Sequence, residues 1–175
     1  MSLKSVLSAA ALCAVAVAGA SQAQQPQKPN PFDVVPDKMP NDIPYGAPIT
    51  LAHADAVLSA ALAESTKRDW KLNCAVVDSG ANLVSFKRQD GAQLGSIAIA
   101  EHKARAAVKY RRETKALENG VQNGATYLLT LDDVIASRGG IPIMDGGKIV
   151  GAIGCSGGTG SQDEVVAKAG VAAYK

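Results

Sequence analysis

The order of elements along this 175-residue chain predicts an α+β fold, an antiparallel sheet covered by helices. Three observations carry the prediction. Short apolar runs come in two pairs, each pair joined by a turn of the kind that closes a hairpin. Segments with helical spacing of apolar residues stand before, between and after those pairs. No regular strand–helix–strand repeat appears, which argues against a parallel sheet.

Taken in order, Thr50 caps a helix expected to run to about residue 69, with Leu51, Ala54, Leu58, Ala61 and Leu62 on one stripe. Residues 72–78 and 83–88 read as strands joined through Ser79-Gly80-Ala81-Asn82. A second helix is expected over 96–112, with an alanine-rich face suited to close packing on a sheet. Residues 117–133 carry no clean period, and short helical pieces are expected around 125–129. Residues 141–144 and 148–153 form the second hairpin around Asp145-Gly146-Gly147, whose glycines accept positive φ. A loop over 154–160 then leads into a last helix over 161–173.

The first 23 residues read as a cleaved export signal. Lys4 precedes an apolar run over 6–20, and Ser21-Gln22-Ala23 places small residues where a signal peptidase cuts. The run falls short of the roughly 20 apolar residues of a stable membrane span. A periplasmic or secreted location is therefore expected. Residues 24–48 hold seven of the eight prolines and read as a proline-rich arm, a flexible spacer or a strap along a neighbouring subunit. The folded domain is expected over 49–175. A net charge of +2, only +1 without Lys4, excludes the strongly basic surface of a nucleic-acid binder. Past the leader only Cys74 and Cys155 remain; both read as buried small apolar residues, and export permits a disulfide between them.

Several loose motifs stand in a fixed order. They are a Val76-Val77-Asp78 hairpin, the Arg88-x-Asp90-Gly91-Ala92 turn, Lys103-Ala104-x-Ala106 on a helix, and Gly139-Gly140-x-Pro142. Last comes Gly151-x-Ile153-Gly154-x-Ser156-Gly157-Gly158, followed by Gln162-Asp163-Glu164. Together they resemble the GlcG/HbpS-like family, the haem-degrading domain family that also supplies the C-terminal domain of PduO-type proteins. The likeness covers about residues 49–175. It departs at the first hairpin, where Gly80-Ala81 stands for the usual glycine pair. The resemblance implies a profilin-like α+β fold, assembly into homo-oligomers favoured by an exposed alanine-rich helix face, and a function in the sequestration, sensing or degradation of haem.

The helix over 96–112 is the leading chemical candidate, because Glu101, His102, Lys103, Arg105, Lys109, Tyr110, Arg111 and Arg112 crowd into it. Such a helix suits haem: His102, Tyr110 or His53 would ligate iron, while Arg105 and Arg111 would meet the propionates. His102 is the first choice of metal ligand, being next to the matched Lys103. No Cys-x-x-Cys-His run occurs, so the expected cofactor is haem b held without covalent attachment. A competing reading is an enzyme or binding protein for a small carboxylate. There Lys103 and Glu101 would be catalytic, and Arg138, Gly140, Gly157, Gly158 and Asp163 would bind substrate beside the glycine loop. A third is a purely structural assembly module whose proline arm is exchanged between copies.

Overall fold

A computed structural model of the chain describes residues 30–175, so the expected leader lies outside the described residues. Pro31–Asp33 form a short 3-10 turn capped by the Asn30 side chain. Residues from Val35 onward form a separate unit and carry everything that follows.

In that unit the strands are β1 (Asn73–Asp78), β2 (Leu83–Arg88), β3 (Gly140–Asp145) and β4 (Lys148–Ser156). They pair antiparallel throughout, in the order β2-β1-β4-β3. The helices are α1 (Leu51–Lys67), α2 (Ser96–Lys109), α3 (Thr114–Gln122) and α4 (Gly160–Ala172). The central strands, β1 and β4, are buried on both faces and are apolar almost without interruption. Against one face Val57, Leu58 and Ala61 of α1 and Val166 and Ala167 of α4 pack with Val76 and Ile153. On the other face, Ala100, Ala104 and Ala107 of α2 pack with Ala75, Val77 and Ala152.

The alanine face of α2 is thus spent on the chain's own sheet, and the expectation that it stays exposed for self-association is corrected. Small side chains let the helix backbone sit on the strands. A Cβ added at Gly154 would lie 2.1 Å from the carbonyl oxygen of Ala100, and one at Gly140 would lie 2.3 Å from that of Lys103. Neither distance is physical, so glycine is required at both.

Several boundaries differ from expectation. Helix α2 stops at Lys109 rather than at residue 112, because Arg111 takes a left-handed φ of 52°. The Arg111 and Arg112 amides close back onto Val108 and Ala107, the bond pattern of a Schellman cap with arginine in the usual glycine place. Helix α3 occupies part of the stretch read as irregular; the pieces expected near 125–129 form the 3-10 turn Thr126–Thr130. Ala81, where a second glycine was missed, has φ 68°. Thr159 and Gln162 build a full capping box that starts α4.

The end of the proline arm is docked on its own chain. Tyr45 bridges to Ile149, and the Ile149 amide donates to Pro44 O at 2.9 Å. The Tyr45 hydroxyl donates to the carbonyls of Val108 and Lys109, capping the end of α2. Cys74 and Cys155 face each other in register on β1 and β4 and form a disulfide, Cα to Cα 4.2 Å. The Cys155 amide donates to Gly139 on the opposite neighbour, so Cys74 and Cys155 occupy a non-hydrogen-bonded pair, the closer of the two antiparallel spacings. They are therefore cross-linked, not merely two buried thiols.

Candidate functional site

Lys103 is the most deeply placed charge in the unit, 1 % exposed in the middle of α2. Its Nζ donates to Asp163 Oδ2 at 2.8 Å and to Cys155 O at 3.3 Å. It reaches Asp163, in the first turn of α4, past Gly139, where a Cβ would sit 2.8 Å from Asp163 Cβ and 3.2 Å from Nζ. Asp163 Oδ1 accepts from the Gly158 amide at 3.0 Å, and the Thr159 amide donates to Gln162. The glycine loop thus binds an anion, and that anion is the chain's own carboxylate. Glu101 is elsewhere, paired with Arg105 at 3.3 Å. The sequence-predicted set Lys103, Gly140, Gly158 and Asp163 does come together, as a buried knot in which Lys103 and Asp163 satisfy each other. Gly157, at φ 150°, backs onto Lys71 O and serves the turn.

Around this knot runs a second network. Arg138 donates to Glu118 through its backbone amide, Nε and Nη2, at 2.6–2.8 Å, and approaches Glu164 at 3.6 Å. Glu164 also accepts from Lys115 at 3.1 Å and Lys168 at 2.5 Å. Hydrogen bonds from Arg138 hold the Glu118 carboxyl below its ordinary range. Burial pushes Glu164 upward, but Lys168 and Lys115 outweigh it and the net shift is down. Arg138, expected to bind substrate, is fully occupied by protein carboxylates. Glu118 lies on α3, which no clean apolar period marks, so no local pattern in the sequence points to it as the partner of Arg138.

The outer side of α2 carries the rest of the predicted haem set. Lys109 pairs with Asp133, and the Tyr110 hydroxyl donates to Asp132 O at 2.6 Å. His102 Nε2 lies buried with no hydrogen-bond partner. Arg111 stands apart at the end of α2, donating to Ile43 O at 3.2 Å and lying 3.5 Å from Asp42.

His53 occupies a different setting. Thr50 caps α1 by accepting from the His53 amide, and the imidazole emerges exposed from that first turn. It meets Tyr174 edge to face, ring centroids 5.3 Å apart. Both border a cleft of about 200 Å³ walled by Ala47, Pro48, Ile49 and Val150. Burial, then the nearby Asp145, pushes the Tyr174 phenol up, so it stays neutral beside the imidazole.

Among the described residues no group of three or more His, Cys, Asp or Glu side chains is arranged to hold a metal ion. Haem needs only one or two protein donors, and an exposed imidazole beside apolar walls fits that need. Among the described residues no helix is long and apolar enough to cross a membrane.

Comparison with known proteins agrees with this architecture. Protein GlcG of Escherichia coli K12 is 40 % identical over 103 residues, covering 59 % of this chain and 77 % of that protein. A solved double mutant of Streptomyces reticuli HbpS is 29 % identical with a TM-score of 0.70, covering 81 % of this chain and 97 % of that one. Klebsiella pneumoniae ORFY is 28 % identical with a TM-score of 0.69, covering 78 % and 97 %. A PduOC solved as a haem complex, 24 % identical with a TM-score of 0.67 and covering 73 % and 95 %, shares the fold. The family model described as haem degrading protein HbpS-like matches residues 49–172, and the chain belongs to that haem-related family.

Proposed function

We propose that this protein is an exported haem-binding protein, holding haem b without covalent attachment, with His53 as axial ligand. The observation that carries the reading is the unequal access of the two imidazoles: His53 is exposed at the rim of an apolar cleft, whereas His102 Nε2 is shut away from solvent. Iron must reach a ring nitrogen, and a macrocycle needs apolar surface beside it. Leu51, 58 % exposed, and the exposed Ala52 and Ala56 extend that surface along α1. The cleft alone is smaller than the 300–1,000 Å³ usual for ligand pockets, so a second copy closing over this face would complete it. Family membership supports the haem assignment. The leader-like segment and the Cys74–Cys155 disulfide support export, since such bonds persist in oxidising compartments. Sequestration or sensing of haem follows as the role.

A second reading places the iron on His102, whose orphaned Nε2 would gain a partner. A haem titration followed by absorbance separates the two. The expected result is saturable binding with a sharp Soret band, lost or displaced in His53→Ala and kept in His102→Ala. The reverse pattern assigns the ligand to His102, and featureless, unsaturable absorbance removes haem from the account.

A further inference from the structure

A cleft of about 500 Å³ lies apart from the one beside His53. We propose that it is a second ligand site, for a small amphipathic carboxylate. It lies between residues 41–43, the turn joining α2 to α3, and the edge strand β3. Its apolar wall includes Ile43, Pro142 and Met144, and its cations are Arg111, Arg112 and Lys115. Glu113 is the one acidic side chain in the lining, and it lies 3.8 Å from Lys168.

The cations are not equally committed. Arg111 lies beside Asp42 and Lys115 donates to Glu164. Arg112 uses only Nε, donating to Tyr110 O at 2.9 Å, and has no carboxylate within ion-pair distance among the described residues. Its Nη groups remain for a carboxylate, which a guanidinium grips with two parallel hydrogen bonds.

The chain goes to some length to build this place. A glycine at Arg111 would end α2 without strain, yet two consecutive arginines stand there, the first in a left-handed conformation that costs about 1 kcal/mol. Pro142, on the edge strand, has no N–H to offer, so this part of β3 does not recruit another strand into the cleft. Met144, 37 % exposed, adds a soft and adaptable surface. A cationic rim over an apolar wall selects a ligand with one carboxylate and a short hydrocarbon or aryl body. The assignment does not depend on haem.

The test uses haem-free protein titrated with octanoate, read by calorimetry and by the rise in melting temperature, with octan-1-ol as the uncharged counterpart. Saturable octanoate binding is expected, at least about tenfold weaker in Arg112→Gln. Arg112→Lys should recover part of the loss, and Lys148→Gln, at an exposed cation outside the lining, should bind octanoate like the parent. The melting temperature of each ligand-free variant shows whether it is folded; should Arg112→Gln fail there, Arg112→Lys carries the comparison. Equal binding of octan-1-ol, or full affinity in Arg112→Gln, overturns the proposal. Loss of octanoate binding on loading with haem would also overturn it, by giving the cleft to the propionates of haem.

Discussion

Lys103 of α2 and Asp163 of α4 form an ion pair 2.8 Å long with both side chains at most 3 % exposed. Removing one partner strands a buried charge, which typically costs 3–5 kcal/mol. Lys103→Met is expected to destabilise the fold by about that much, and Asp163→Asn by somewhat less because the amide still accepts from Gly158. The double variant Lys103→Met/Asp163→Asn removes both charges and should recover part of the loss. Urea unfolding of the four proteins measures the coupling; additive single effects would show that the pair is not acting as a unit.

Helix α2 rests on glycines, and this dictates a second expectation. An alanine at Gly154 would press on the backbone of Ala100 and Ala104 at 2.1 and 2.4 Å, where no flexible side chain is available to move. Gly154→Ala should therefore cost more than about 3 kcal/mol or prevent soluble expression. Gly146→Ala, at the open tip of the second hairpin with φ 51°, meets nothing within 4 Å and should cost only about 1 kcal/mol. Melting temperatures of the two variants check the contrast.

The same glycines explain what could be read in advance and what could not. Strands, hairpins and helices α1, α2 and α4 announce themselves through local periods and turns, and those local signals survive in the fold. Helix α3 does not: Thr-Lys-Ala-Leu-Glu-Asn-Gly-Val-Gln is only nine residues long and carries a glycine in its last turn, worth about 1 kcal/mol against it. Long-range bonds hold it, from Gly140 N to Thr114 Oγ1 and from Arg138 to Glu118. Lys103 reads as a reactive lysine in the sequence for a similar reason, since its partner lies 60 residues further along. The Cys74–Cys155 bond depends on strand register, which no spacing encodes. His53, by contrast, was visible as a residue, but only the fold shows that its side chain borders a cleft.

The disulfide closes a separation of 81 residues, for which loop-closure entropy suggests about 4 kcal/mol of stabilisation. Cys74→Ala/Cys155→Ala should lose stability of that order, plus a contribution from the cavity left behind. Both cysteines are fully buried between the two central strands. Reductant should consequently leave the native bond intact for as long as the domain stays folded and cleave it readily in urea. Thiol labelling with and without denaturant reads this directly, and rapid labelling of native protein in reductant would contradict it.

The Glu118–Arg138–Glu164–Lys168 network makes the fold sensitive to acid. Arg138 holds the Glu118 carboxyl down, and Lys168 and Lys115 overcome the effect of burial to hold Glu164 down as well. A carboxyl lowered in the folded state contributes stability above its unfolded pKa, about 4.3 for glutamate, and loses it as pH falls through the folded value. The cations shift the other way: Glu118 raises Arg138 and Glu164 raises Lys168, so their contribution is complete below the unfolded values and fades only in strong alkali. Urea midpoints should therefore be insensitive to this network near neutrality and fall as pH drops below about 4. Glu118→Gln should lower stability at pH 7 while flattening the acid limb, since the substituted amide has no proton to gain. An acid limb as steep in Glu118→Gln as in the parent would place the responsible carboxylates elsewhere.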